Sequence, residues 1–291
     1  MKNTLAAFAS ASAILLGLST QLAGCACSQE TVTDEDGNER TLTVCEPLTQ
    51  YQGTEVTETI AYTAGQGVEI NGANGGIDVN VGSGSEISVS FQPKTARAGD
   101  EEDQAVAEME NDLTLTVRDD GDNILIEATT AEGSNPYLAA DIRVTLPSSF
   151  AGRADIFNDN GSADVDLGGT APTSVRLKVD NGALNLRGAA GTLDVSQGNG
   201  TECNVSVAAW STENGTIACD SIDSVVRIPS GANGSIQVQS QTGLITDPSP
   251  LPSDWVASEQ NVDNSKSFTM GDGMGGNVVI TNDGDIALDA S

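Results

Sequence analysis

The chain has 291 residues and carries 12 Lys and Arg against 42 Asp and Glu, a formal net charge of −30; it has no histidine and only 2 Trp, 3 Tyr and 5 Phe. That charge opposes a phosphate backbone and excludes nucleic-acid binding through a basic groove. Without imidazole there is no Ser-His-Asp triad, no Cys-His pair and no His-ligated zinc, so the expectation is no catalytic residue, no metal site and no cofactor.

The N-terminus reads as an export signal. Lys2 precedes an apolar run from Leu5 to Leu18, too short to span ~30 Å of hydrocarbon as a helix. The run leads to Leu22-Ala23-Gly24-Cys25, which resembles the bacterial lipoprotein signal. The resemblance implies a signal peptide over 1–24 and lipidation of Cys25 as the first mature residue. Two or more acyl chains give stable anchoring, so the membrane becomes a partner. The implied location is the cell envelope, at the outer membrane, facing either the periplasm or the surface. An ordinary cleaved signal followed by a free cysteine is the alternative.

Five cysteines is an odd number for an exported chain, and a modified Cys25 resolves it. Cys27, Cys45, Cys203 and Cys219 remain, with three connectivities open to them; the two local pairs, Cys27 with Cys45 and Cys203 with Cys219, are expected. Between the first two, β-prone runs flank Asp36-Gly37, which suits a disulfide-closed hairpin within the lipid-anchored segment 25–50.

Residues 51–146 read as an irregular β layer. Val68 to Ile70, Ile77 to Val81 and Ile87 to Phe91 have strand character, whereas Val106, Met109 and Leu113 recur at helical spacing and predict one short helix near 100–112. Asp119-Asp120-Gly121-Asp122 predicts a hairpin between Leu113 to Val117 and Ile124 to Ile126, and Ile142, Val144 and Leu146 predict a further strand. Beyond residue 60 the chain repeats, and 147–246 reads as the regular solenoid coils. Asn-Gly followed by alternating apolar residues occurs at Asn74, Asn160, Asn181, Asn199, Asn214 and Asn233, with Asp283-Gly284 as a variant. Asn-Gly is a hairpin signal, and an antiparallel sandwich is one reading. Each unit, however, has the same order of strand, Asn-Gly, strand and Gly-rich corner, which translates instead of mirroring. The expected fold is therefore all-β: a parallel β-solenoid with one short helical insertion and the N-terminal hairpin. Alternation points Leu184, Leu186, Leu193 and Val195 inward and leaves Asn185, Arg187 and Asp194 in solvent. Successive Asn-Gly corners come into register, with Asn in left-handed conformation and forming ladders. Pro248, Pro250 and Pro252 mark a linker over 247–266, and 267–291 is read as a capping coil.

The order of strand-rich start, acidic helix, Arg143-Val144-Thr145-Leu146-Pro147, serial Asn-Gly units and Thr281-Asn282-Asp283-Gly284-Asp285-Ile286 resembles a bacterial family of β-strand repeats of unknown function, regarded as candidate adhesins. The resemblance covers roughly 60 to 290 and implies a parallel β-solenoid in the envelope, with no established reaction and no catalytic residues to carry over. Gly271-Asp272-Gly273-Met274-Gly275-Gly276 matches a dinucleotide fingerprint but precedes a strand where a helix is needed. Asp34 to Glu39 contains part of a calcium loop without its distal Glu. Asp159, Asp180 and Glu213 each precede an Asn-Gly corner, which sets solvated edge charges against a calcium ladder. The functional expectation is a lipid-anchored envelope protein with a structural or adhesin-like role, no catalysis, and an envelope or surface protein or polysaccharide as partner. The alternatives are a calcium-dependent polysaccharide-active enzyme, drawing on Arg153, Arg176, Lys178, Arg187 or Arg227, and a sensor or regulatory lipoprotein.

Overall fold

A computed structural model describes residues 25–33, 39–99, 101–211, 213–259 and 262–290, with side chains from 47 onward. The expected signal segment 1–24 and Asp34 to Asn38, where the sequence predicts the first hairpin's turn, lie outside the described residues.

The chain is all-β with one helix. In order it forms β1 (Cys25–Thr33), β2 (Glu39–Gln52), β3 (Val56–Ala61), β4 (Gly67–Asn74), β5 (Ile77–Gly82) and β6 (Glu86–Ala98). Helix α1 (Glu102–Asn111) follows, where the sequence predicts it. Next come β7 (Leu113–Asp119), β8 (Asn123–Thr130), β9 (Ala139–Pro147), β10 (Arg153–Asn160), β11 (Ala163–Asp166), β12 (Ser174–Asn181), β13 (Leu184–Ala189) and the two long strands β14 (Thr192–Val207) and β15 (Gly215–Ile228). The chain finishes with β16 (Gly234–Ser240), β17 (Ile245–Thr246), β18 (Trp255–Ala257), β19 (Ser265–Met270), β20 (Asn277–Asn282) and β21 (Asp285–Ala290).

β1 pairs with β2, and β2 and β3 both pair antiparallel with β6; most of the remaining strands form two parallel rows. The first row runs β8, β4, β10, β12, the front half of β14, the front half of β15, β20 and β16. The second runs β9, β5, β11, β13, the back half of β14, the back half of β15, β21 and β17. Antiparallel strands finish the rows: β7 lies on β8, β6 on β9, β19 on β16 and β18 on β19. The sheet is therefore mixed, and the expectation of a purely parallel fold is corrected in that respect. The physical reason is edge protection. A stack of parallel rungs leaves a row of unpaired N–H and C=O groups at each end, and reversed strands cover three of the four ends, β17 pairing only with β21. Period-2 alternation is the same for parallel and antiparallel strands, so it cannot distinguish them.

Spatial order also departs from chain order. The unit β8-β9 stacks outside β4-β5, although β4-β5 comes first in the chain. Likewise β20 lies between β15 and β16, and β21 between β15 and β17. Within the expected capping coil 267–291, β20 and β21 thus fill interior positions, while 267–270, in β19, lie on the outer side of β16.

The inward residues of both rows make one core that includes Val68, Ile156, Leu177, Leu186, Val205 and Ile280. Leu184, Leu186, Leu193 and Val195 are buried as the alternation requires, with Arg187 and Asp194 exposed. Burying each such aliphatic contributes about 1.5–3 kcal/mol. Helix α1 buries only Ala105 and Met109 and is tied down by Arg97 on β6, which reaches Glu101, Gln104 and Glu108.

Candidate binding surface at the corner column

Between the two rows the chain turns a corner, and these corners stack. Asn74, Asn160, Asn181 and Asn199 are consecutive partners in the parallel register. The following glycines continue the ladder: Gly75, Gly161 and Gly182 donate their N–H to the carbonyls of Asn160, Asn181 and Asn199. The side chains form a second ladder outside the first. Asn160 Nδ2 donates to Asn74 Oδ1 at 2.9 Å, Asn181 to Asn160 at 3.1 Å and Asn199 to Asn181 at 3.3 Å. Asn160 and Asn181 each donate to the rung before and accept from the rung after, while Asn74 at the start of the ladder donates to the Leu138 carbonyl.

The left-handed conformation expected of Asn falls entirely on glycine. Gly75, Gly161 and Gly182 have φ of 116°, 128° and 144°, and among the described residues no non-glycine has positive φ. A Cβ on Gly161 would stand 1.9 Å from the Gly75 carbonyl oxygen. Glycine is required here both for its φ and for the approach of the next coil.

Buried amides support the column from inside. Asn158 Nδ2 donates to the carbonyls of Gly75 and Ser162, and Gln197 Nε2 to those of Gly182 and Glu202. Further along, Asn282 Oδ1 accepts from Ser221 N and Oγ. Sequence reasoning missed these groups. The available signal was a polar residue at an inward position two residues before the corner Asn, where Val179 stands in the intervening rung.

The amide ladder ends in acid. Asp220 is the register partner of Asn199, and Asp283 occupies the next rung, since Cys219 pairs with Asn282. When ionised neither carboxylate can donate, so Asn199 Oδ1, Asp220 and Asp283 follow one another as acceptors. Desolvation, together with the charge of Asp220 and a hydrogen bond to it, raises the Asp283 carboxyl above its ordinary value. An open cavity of about 600 Å³ lies here, lined by Asn199, Thr201, Asp220, Ile222, Thr242 and Asp283 among others. Ile222 is exposed, which gives an acidic recess with one apolar wall.

The six Asn-Gly pairs do not form one column. Gly215 and Gly234 open strands β15 and β16. Asn214 and Asn233 therefore lie at the corner that precedes the first row, at the other end of each unit. The phase changes between β14 and β15: the corner of β14 is still Asn199-Gly200, whereas that of β15 is Asp220-Ser221. The acidic trio separates in the same way. Asp159 and Asp180 precede successive rungs, with Asp180 held by Lys178 at 2.8 Å, while Glu213 accepts from Thr192 Oγ1 at the other corner. Among the described residues no group of three or more Cys, Asp or Glu is gathered as a metal site would be.

Of the cations set out above, Arg187 is the one that meets two carboxylates, Asp164 and Asp166, and it does so on the outer face of the second row with its side chain more than half exposed. Gly271-Asp272-Gly273-Met274-Gly275-Gly276 leads into strand β20, not a helix.

Cys203 and Cys219 form a disulfide with an S–S distance of 2.02 Å. It joins β14 after its corner to β15 before its corner, at the point where the amide column becomes acidic. Cys27 and Cys45 are direct partners in the antiparallel pairing of β1 with β2, and β1 begins at Cys25.

No family model matches the chain, and no curated protein matches it. Among solved structures it is similar to a candidate cell adhesion protein from Clostridium sporogenes at 8% identity, covering 82% of this chain and 99% of that one, with a TM-score of 0.45. It is also similar to a candidate adhesin from Bacteroides fragilis at 11% identity, covering 82% and 97%, with a TM-score of 0.31. A candidate adhesin from Parabacteroides distasonis gives 10% identity, 81% and 97% coverage and a TM-score of 0.26.

Proposed function

We propose that the chain is a lipid-anchored protein of the cell envelope with a structural or adhesin-like binding role and no catalysis, and that its parallel rows wind as a β-solenoid. The observation that carries this reading is the corner column: a series of backbone turns locked in register, presenting a ladder of exposed amides on a rigid frame. Binding surfaces are more exact when built on such a frame than on free loops. Leu22-Ala23-Gly24-Cys25 supports the anchor, with Cys25 acylated at the start of the first strand. A Cys27 to Cys45 bridge would close the hairpin next to it.

The test has two arms in bacterial cells that express the full chain. Growth with an alkyne-tagged fatty acid is expected to label the protein, and Cys25→Ser to abolish the label and release protein from the membrane fraction. Purified protein is expected to be retained on an isolated envelope, and mutation of the corner column at Asn160, Asn181 and Asn199 to weaken that retention. An unlabelled wild-type chain would overturn the anchor. Retention that is absent, or indifferent to the column, would overturn the binding role.

A further inference from the structure

A second recess lies at the opposite corner. Ala208, Ala209 and Trp210 leave β14, Pro229 to Asn233 connect β15 to β16, and Met274-Gly275 lead into β20; together they enclose a cavity of about 360 Å³. This falls within the ~300–1,000 Å³ range of small-molecule sites. Its apolar wall is the half-buried Trp210 with the two alanines and Met274, whose side chain is 82% exposed at the mouth. The indole is fixed in place, because Nε1 donates to the Gly276 carbonyl at 3.3 Å. Residue 234 lies close against the same nitrogen, where a Cβ would approach to 2.7 Å.

The polar side is also held. Ser211 Oγ accepts the Glu213 N–H at 3.0 Å, and Asp272 accepts from Met274 N at 3.0 Å and from the Asn233 side chain. A preset indole beside a hydroxyl and an amide, with small alanines leaving room for a ring, suits a ligand with one apolar face and a polar edge. A pyranose ring has that form. The net charge of −30 disfavours acidic sugars and leaves neutral ones.

We propose that this cavity binds neutral saccharides, with one pyranose stacked on Trp210 and its hydroxyls bonded to Ser211 and Asn233. The inference deepens the adhesin-like reading above and rests on it. Trp255, the other tryptophan, is only 4% exposed, so acrylamide quenching of the intrinsic fluorescence reports on Trp210. The purified protein is titrated with maltotriose, N,N′,N″-triacetylchitotriose and mannotriose, and with trigalacturonate and choline as charged contrasts. At least one neutral trisaccharide at about 10 mM is expected to protect Trp210 from quenching, with the charged probes inactive. Met274→Arg, which places a long side chain across the mouth and leaves the core untouched, is expected to weaken that protection at least about fivefold, with an unchanged melting temperature. Absence of protection by all three neutral sugars, equal protection by a charged probe, or protection unaltered in Met274→Arg would each overturn the proposal. None of these results bears on acylation of Cys25 or on retention through the Asn column, so failure here is distinct from failure of the general reading.

Discussion

Asp220→Asn supplies the donor that Asn199 Oδ1 lacks and removes the like charge facing Asp283. The sign of the pH effect follows from the direction of the shift. A carboxyl whose folded value is raised is penalised in its ionised form, so acidification through that raised range adds stability from this group, and the addition is lost again at neutral pH. Asp220→Asn is therefore expected to raise the melting temperature at neutral pH, and the gain over wild type to shrink as pH falls into the carboxyl range; thermal melts across pH measure both. A lower neutral-pH melting temperature would remove this account of the acidic rungs. Glu108 has the opposite sign. Burial pushes its carboxyl up, but hydrogen bonds from Arg97, Asn135 and Thr95 more than offset this and leave it below its ordinary value. Its contribution is present above the unfolded value and lost as pH falls through the lowered one. Arg97→Ala leaves Glu108 without its cation, and denaturant melts should show a loss of about 2 kcal/mol. The residue scale is also where the sequence was least legible. Asn158 and Gln197 are buried amides in positions that alternation reserves for aliphatics, and only the corner carbonyls of their own and the neighbouring coil explain them.

At the scale of the element, the corner is a demanding structure for its backbone. Gly161→Ala combines a φ of 128° with a Cβ placed against a carbonyl, and its expected cost is about 3 kcal/mol or more. Gly169→Ala is the matched control: its φ is 85°, yet nothing lies within 4 Å of the added Cβ, so about 1–2 kcal/mol is expected. Equal losses in denaturant melts would show that coil stacking does not constrain the corner. The disulfide acts between adjacent corners. Its sequence separation of 16 gives about 3 kcal/mol in the chain-entropy model, so Cys203→Ser with Cys219→Ser should be less stable by about that amount in denaturant melts under oxidising conditions. Much at this scale was legible. The helix, the hairpin around Gly121 and the inward phase of Leu184 and Leu186 follow from spacing alone. The shift of Asn214 and Asn233 to the other corner was not, because Asn-Gly has the same local chemistry wherever a turn meets a neighbouring coil.

Most of the described strands form two parallel rows, three of whose four ends carry a reversed strand. Translation of the repeat made the parallel rows legible, but long-range order has no local signature: nothing in Asn277 to Ala290 says that these residues slot between earlier strands. The Pro-rich stretch and the antiparallel β19 carry the chain past one vacant position, which β20 and β21 then fill. This placement is the sharpest consequence of in-register stacking, and paired cysteines test it. Thr216 and Gln237 both neighbour Val279, from opposite sides. Oxidative cross-linking mapped by mass spectrometry is expected to join Thr216→Cys to Val279→Cys, and not to join Thr216→Cys to Gln237→Cys, two strand spacings or about 10 Å apart. A cross-link between 216 and 237, with none between 216 and 279, would mean that the coils stack in chain order and would contradict the arrangement of both rows.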